Sequence, residues 1–252
     1  MRILVLLWLL LLPFQAFPAT LEDITYRETI GSANNIGDIP AGTASGDGLV
    51  AWVVAGDNAS ITTPTGWTLR QSEDPGFSPE HWLYTRIADG TEGSTVTFVS
   101  TLTTFRHIVA IARVSGIDAY DTSSDTAADS SGTSHVSNGL TTAGDNQIVL
   151  LFLAQTQPGA SFAPAAPSGS TLDAEFSPSN FIGVAAASFT QASAGATGTR
   201  TWTAVISGEF RSSAAVTFTN ASGGGATIPL TLQQLDKDYG PQRSQQLGGL
   251  LQ

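Results

Sequence analysis

The chain has 252 residues, with ten basic against 21 acidic side chains, a net charge of −11, 26 Gly, 12 Pro and no Cys. The missing cysteines exclude a disulfide framework, a thiolate zinc site and a cysteine nucleophile, and the acidic balance has the wrong sign for a general nucleic-acid binder. Charged residues make up 12%, too few for a disordered polyelectrolyte or a charge-laced coiled coil.

Residues 1–19 read as an export leader. Met1-Arg2 is followed by the apolar run Ile3 to Phe14 and the small-residue end Ala16-Phe17-Pro18-Ala19. The run is shorter than the roughly 20 residues a spanning helix needs. The reading is therefore of a secreted or surface protein with no stable membrane anchor once the leader is cut.

Residues 20–235 carry almost no helical period. Short apolar segments bounded by Gly, Pro, Asp or Asn recur instead, as strands do. They are Gly48 to Ala55, Trp82 to Ile87, Thr95 to Val99, Ile108 to Val114, Ile148 to Ala154, Gly183 to Thr190, Thr201 to Ile206 and Ala214 to Thr219. Thr95 to Val99 alternates polar and apolar, the period of a half-buried strand. Val50 to Ala55 and Ile148 to Ala154 are continuously apolar, which predicts central strands covered on both faces. About ten strands at this spacing predict an all-β, single antiparallel β-sandwich of jelly-roll type. Asp118 to Gly139, rich in Ser, Asp and Thr, reads as a long exposed loop. Residues 236–252, Gln-, Gly- and Leu-rich, read as a flexible tail.

The chain also repeats itself, over about 40–117 and 140–220. Gly46-Asp47 and Gly144-Asp145 each open an apolar strand. Pro64-Thr65-Gly66-Trp67-Thr68-Leu69 matches Pro167-Ser168-Gly169-Ser170-Thr171-Leu172, and Phe105-Arg106 matches Phe210-Arg211. In the Pro-x-Gly turns, Pro fixes φ at the first corner position and Gly suits the third, which is type II chemistry. Trp67 then enters a strand as a core plug, with a sugar-stacking platform as the minor alternative.

Gly46-Asp47-Gly48-Leu49-Val50-Ala51, Pro64-Thr65-Gly66-Trp67-Thr68 and Trp82-Leu83-Tyr84-Thr85-Arg86-Ile87-Ala88 together resemble a loose set of phage and prophage-associated β-sandwich proteins. The likeness covers residues 40–230 and is strongest over 46–116. It implies a tail, fibre or other virion-surface component, with other virion proteins as partners, and it brings no catalytic residues. The export leader departs from that pattern, because virion proteins ordinarily fold in the host cytoplasm.

The chemistry-bearing residues form no motif. His81, His107 and His135 have no metal-ligand spacing, and no nucleophile elbow, Walker loop or dinucleotide fingerprint is present, so no cofactor is expected. His81 reads as an exposed strand-edge residue and His135 as a loop residue. Glu73, Asp74 and Glu80, with Glu175 in the corresponding second-half loop, are the carboxylates a glycan hydrolase or lyase would need in pairs at about 5–10 Å. Asp118, Asp121, Asp125 and Asp129 form a weak Ca²⁺ candidate, because oxygen-rich loops suit hard cations; the spacing fits no Ca²⁺ loop, and a solvated acidic loop is preferred. Trp82 follows a Pro/Gly loop at a place from which it can face outward as a sugar platform. The reading is of a non-catalytic module that binds a glycan or cell-surface ligand through Trp82, His81, Glu73, Glu80 and Glu175, or assembles through the Gln-rich tail after Leu235. The loops at 71–81 and 173–181 are the expected binding elements, and the oligomeric state is left open.

Overall fold

The computed structural model describes residues 18–55, 59–73, 79–103, 106–129, 132–156, 162–178, 181–203 and 210–221. The leader as far as residue 17 and the tail lie outside them, as does Asp74. The first half forms β1 (Thr20–Ile30), β2 (Asn34–Asp38), β3 (Gly48–Ala55), β4 (Ile61–Thr62), β5 (Thr68–Glu73), β6 (Glu80–Ile87), β7 (Thr95–Ser100) and β8 (Arg106–Ser115). The second half forms β9 (Ile117–Asp129), β10 (Ser134–Ser137), β11 (Thr141–Thr142), β12 (Gln147–Thr156), β13 (Thr171–Phe176), β14 (Ile182–Gln191), β15 (Gly195–Ala196), β16 (Arg200–Thr203) and β17 (Arg211–Asn220). The described residues are thus all β, in antiparallel sheets, as the segment pattern predicts.

Two five-stranded sheets carry the fold, in the orders β1-β8-β3-β6-β5 and β13-β14-β12-β17-β9. Read from its other edge, the second is β9-β17-β12-β14-β13, the same order as the first. The repeat therefore reaches further towards the N-terminus than the sequence signal: β1 holds in its sheet the place that β9 holds in the other. In a jelly roll, successive strands alternate between the sheets. Here each five-stranded sheet is drawn from one half of the chain.

Strand register aligns the halves residue by residue. Ala55 lies opposite Glu80 and His107, while Gln155 lies opposite Gly183 and Arg211. Arg211 is thus the counterpart of His107, one position off the Phe-Arg match in sequence. The Pro-x-Gly turns also correspond: Trp67 N–H donates to Pro64 O at 3.1 Å and Ser170 N–H to Pro167 O at 3.0 Å. Gly66 and Gly169 take φ of +82° and +77°, as a type II turn needs at its third position. Pro64 is the first of the four turn residues, so Thr65 occupies the corner expected for proline.

Alternation along each strand decides the layers. Val50, Trp52 and Val54 from β3 meet Leu150, Phe152 and Ala154 from β12 in the core between the sheets. Trp52 and Phe152 hold equivalent positions and touch at 5.0 Å between ring centroids. The opposite faces are covered as well. Over the first sheet lies the small sheet β2-β7-β4, whose Phe98 and Ile61 pack on Leu49, Ala51, Val53 and Ile111. Over the second, Trp202 of the β10-β16 pair packs among Val149, Leu151, Leu153 and Ala215. Both faces of β3 and β12 are therefore dry, and every residue in both strands is buried. Trp67 is a core plug, edge-on to Phe98 at 5.7 Å.

Asp118 to Gly139 departs from the expected loop. Residues 117–129 are β9, an edge strand paired along β17. Ser, Thr and Asp suit it because one backbone edge of such a strand faces water. A single residue, Gly116 (φ +69°), turns the chain from β8 in one sheet to β9 in the other. A Cβ there would sit 2.8 Å from Pro18 O, so the crossing requires glycine.

Candidate functional site

The predicted site residues separate between faces and edges of the sandwich. His81 is paired with Val54, whose side chain lies between the sheets, so the imidazole also points inward. It is fully buried, stacked on Trp52 at 4.9 Å between ring centroids, and neither ring nitrogen has a hydrogen-bond partner among the described residues. Burial, followed by the proximity of His135, lowers its pKa to about 3. Glu80 and Trp82, the neighbours on either side, take the opposite face. Glu80 is fully buried and accepts the Ala59 N–H at 2.8 Å, holding the chain that enters β4. Trp82 packs against Val53 and its neighbours under the small outer sheet, so it offers no sugar platform. That extra layer closes the outward-facing option that the sequence leaves open for it.

The carboxylates do not converge. Glu73 ends edge strand β5 opposite His81, half-buried. Glu175 is exposed on β13, the edge of the other sheet. β5 stacks over β9, while β13 stacks under β1, which puts Glu73 and Glu175 at opposite edges of the sandwich. The four aspartates lie along β9 and in no loop. Asp118 is exposed, and Asp121 Oδ2 accepts the Ala143 N–H at 2.8 Å. Asp125 and Asp129 are placed by backbone pairing with Ala214 and Arg211, and their side chains lie outside the described residues. No group of three or more His, Asp or Glu poised for a metal occurs among the described residues.

The other two histidines fasten the outer layers. His135 lies on β10, fully buried, and not in a loop as expected. Its Nε2 meets Ser213 Oγ at 2.9 Å; Ser137 Oγ donates to the same oxygen at 2.8 Å and receives the Trp202 Nε1–H at 3.1 Å. Nearby, buried Arg211 donates to Ser134 O at 2.9 Å and Gly132 O at 2.7 Å. In the first half, His107 Nε2 meets Ser100 Oγ at 3.1 Å, joining β8 to β7. A buried polar group is tolerated only when bonded, so these contacts orient the small sheets on the large ones.

The two most exposed large hydrophobic residues among the described residues lie at the end where β3 and β12 terminate. Phe181, which closes the β13–β14 turn, is 61% exposed, and Ile30, the last residue of β1, is 59% exposed. The Arg106 guanidinium sits 5.1 Å from the Phe181 ring centroid and pairs with Glu28 at 3.0 Å. One ring thus stands in water beside a cation and a carboxylate. Sequence reading placed the 173–181 loop among the binding elements without singling out Phe181. Nothing local separates it from the half-buried Phe176 or the buried Phe189. Comparison with protein-family models, curated proteins and solved structures gives no match for this chain.

Proposed function

We propose that this chain is a non-catalytic β-sandwich of an exported or virion-surface protein, and that it binds a glycan or other cell-surface polyol at the Phe181 end. The observation that carries the reading is the exposed Phe181 ring flanked by the Arg106–Glu28 pair. A pyranose lays its C–H face on such a ring, and its hydroxyls take hydrogen bonds from a guanidinium and give them to a carboxylate. The positions of Glu73 and Glu175 at opposite edges favour binding over glycoside cleavage, which uses two carboxylates across one bond. The phage-like strand pattern is compatible with surface recognition of this kind.

A glycan array probed with the full chain and with F181A tests the reading. Phe181 is exposed, so F181A is expected to keep its melting temperature while losing about tenfold or more in affinity for the ligand found. Glu175→Gln should bind as the parent does. Failure to retain any glycan, or equal retention by F181A, would overturn it. Polysaccharide turnover that disappears in Glu73→Gln or Glu80→Gln would replace it with a glycan hydrolase or lyase.

A further inference from the structure

The two long edges of the sandwich are built from equivalent strands, yet one is filled and the other is open. At the filled edge, β5 stacks over β9. The Arg70 guanidinium lies 3.6 Å from the Tyr120 ring centroid, and Gln71 Nε2 donates to Ser123 O at 3.2 Å and to Ser123 Oγ at 3.0 Å. At the open edge, β13 stacks under β1, leaving a cavity of about 260 Å³ lined by Leu21, Glu22, Asp23, Ile24, Asp173 and Ala174.

Register places all six lining residues against counterparts at the filled edge. β5 and β13 each carry one extra residue between the partners of two neighbouring residues on the next strand: Arg70 in one, Asp173 in the other. The next residues, Gln71 and Ala174, also correspond. On the facing strands, Leu21, Glu22, Asp23 and Ile24 correspond to Tyr120, Asp121, Thr122 and Ser123. The guanidinium that closes one edge is thus replaced by a carboxylate at the other, and the glutamine beside it by alanine.

We propose that the cleft between β1 and β13 is a docking site for an arginine side chain supplied by a partner peptide, seated as Arg70 is seated at the equivalent edge. Leu21, Ile24 and Ala174 form an apolar floor for the aliphatic stem, and Asp173 receives the head; Asp23, paired with Arg113, faces the other side of the sheet. Asp173 takes part in no ion pair among the described residues; Glu22 reaches Arg113 at 3.9 Å and Ser115 Oγ. The chain cannot fill the cleft from its described arginines. Arg27, Arg86, Arg106 and Arg113 are held by carboxylates, Arg70 lies on Tyr120, Arg200 donates to Ser168 O, and Arg211 is buried on backbone carbonyls. Two further features mark an uncompensated charge. Asp173 is exposed, yet partial desolvation raises its carboxyl above the usual range, with the Ser188 hydroxyl opposing. The Tyr26 hydroxyl is buried without a partner among the described residues, and burial followed by the Asp173 charge holds it protonated.

The test is a titration of the ¹⁵N-labelled full chain with N-acetyl-L-arginine methylamide, with N-acetyl-L-norleucine methylamide as the uncharged control. The arginine probe is expected to shift the amides of Leu21–Ile24 and Ala174 saturably in the millimolar range, D173N to weaken it about tenfold, and D23N, on the opposite face of β1, to leave it unchanged. Both changes are nearly isosteric, and a dispersed spectrum verifies the fold of each. D173R, which places the cation in cis, is expected to abolish probe binding. Equal shifts with norleucine would reduce the cleft to an apolar crevice. Arginine shifts that ignore D173N, or no shifts at all, would overturn the assignment. Phe181 lies at the end of the sandwich and outside the cleft lining, so F181A leaves this titration unchanged and the two proposals fail separately.

Discussion

His81 is the residue least matched to its surroundings. An imidazole that is fully buried, stacked on Trp52 and without a hydrogen-bond partner among the described residues is stable there only while neutral. Its pKa is about 3 in the fold and near the ordinary 6.5 when unfolded. Below pH 6.5 the unfolded chain therefore binds a proton that the native chain does not. Stability from this residue is complete above that pH and is lost as the pH falls towards 3, at about 1.4 kcal/mol per pH unit within that window. Denaturant titrations between pH 7 and 4 should show that slope in the parent and a shallower one in H81L, with H81L no less stable at pH 7. An unchanged slope would mean that the imidazole is hydrated or partnered in solution. Trp67 is the opposite case, an indole whose ring fills the space beneath the outer sheet against Phe98. W67A should cost about 3–5 kcal/mol in the same titration. Its counterpart Ser170 follows the equivalent turn, so the second half fills its outer core differently, with Trp202 and Phe162.

Among the strands, edges and centres follow different rules. The pairings between inner strands, β3–β6, β3–β8, β12–β14 and β12–β17, run without a break in register. The pairings that involve the four edge strands, β1, β5, β9 and β13, all contain register shifts. Several of the extra residues are charged, among them Glu22, Arg70, Asp121 and Asp173. A bulge bends and twists the edge away from a regular ladder, and a charge there resists a second chain. Deleting Asp173 removes both devices while keeping Leu172 opposite Ala187 and Ala174 opposite Ala186. The deletion variant should self-associate as its concentration rises, read by light scattering after size exclusion, while the parent does not. A monodisperse variant would show that the bulge has no protective role. These edges also explain what escaped notice in the sequence. β1 (TLEDITYRETI) and β9 (IDAYDTSSDTAAD) are long strands without a continuous apolar run, because each is half-wet and interrupted by a bulge.

At the scale of the whole fold, the two halves meet as pseudo-symmetric partners, with Trp52 against Phe152 in the middle and β1–β13 and β5–β9 at the two edges. Each half has its own five-stranded sheet and its own outer cover, and each lacks only the partner that dries its inner face. Burial of that shared face is the main force joining them. Residues 18–116 and 117–221, produced as separate chains and mixed, should therefore associate into one cooperatively melting complex. Each alone should expose its apolar inner face and aggregate or bind a hydrophobic dye. Independent, monomeric melting of either fragment would show that the halves are separate domains.

The sequence by itself determined the class of the fold. Continuous apolar runs in β3 and β12 required cover on both faces, turn chemistry at Pro64-Thr65-Gly66 and Pro167-Ser168-Gly169 marked strand starts, and those turns announced the repeat. Local pattern records how much of a side chain must be dry, and at these positions that was enough. It does not record which other segment does the drying. Only the tertiary structure decided that an outer sheet covers Trp82, that His135 is buried beneath its own outer strand, that His81 faces inward, that Glu73 and Glu175 stand at opposite edges, and that Phe181 is left in water. The physical reason is that burial of a strand's second face, and the filling of one edge but not its counterpart, depend on partners distant in the chain. Arg70 and Asp173 follow the same turn in their respective halves, and only the strand stacked against each makes one a plug and the other part of an open cleft.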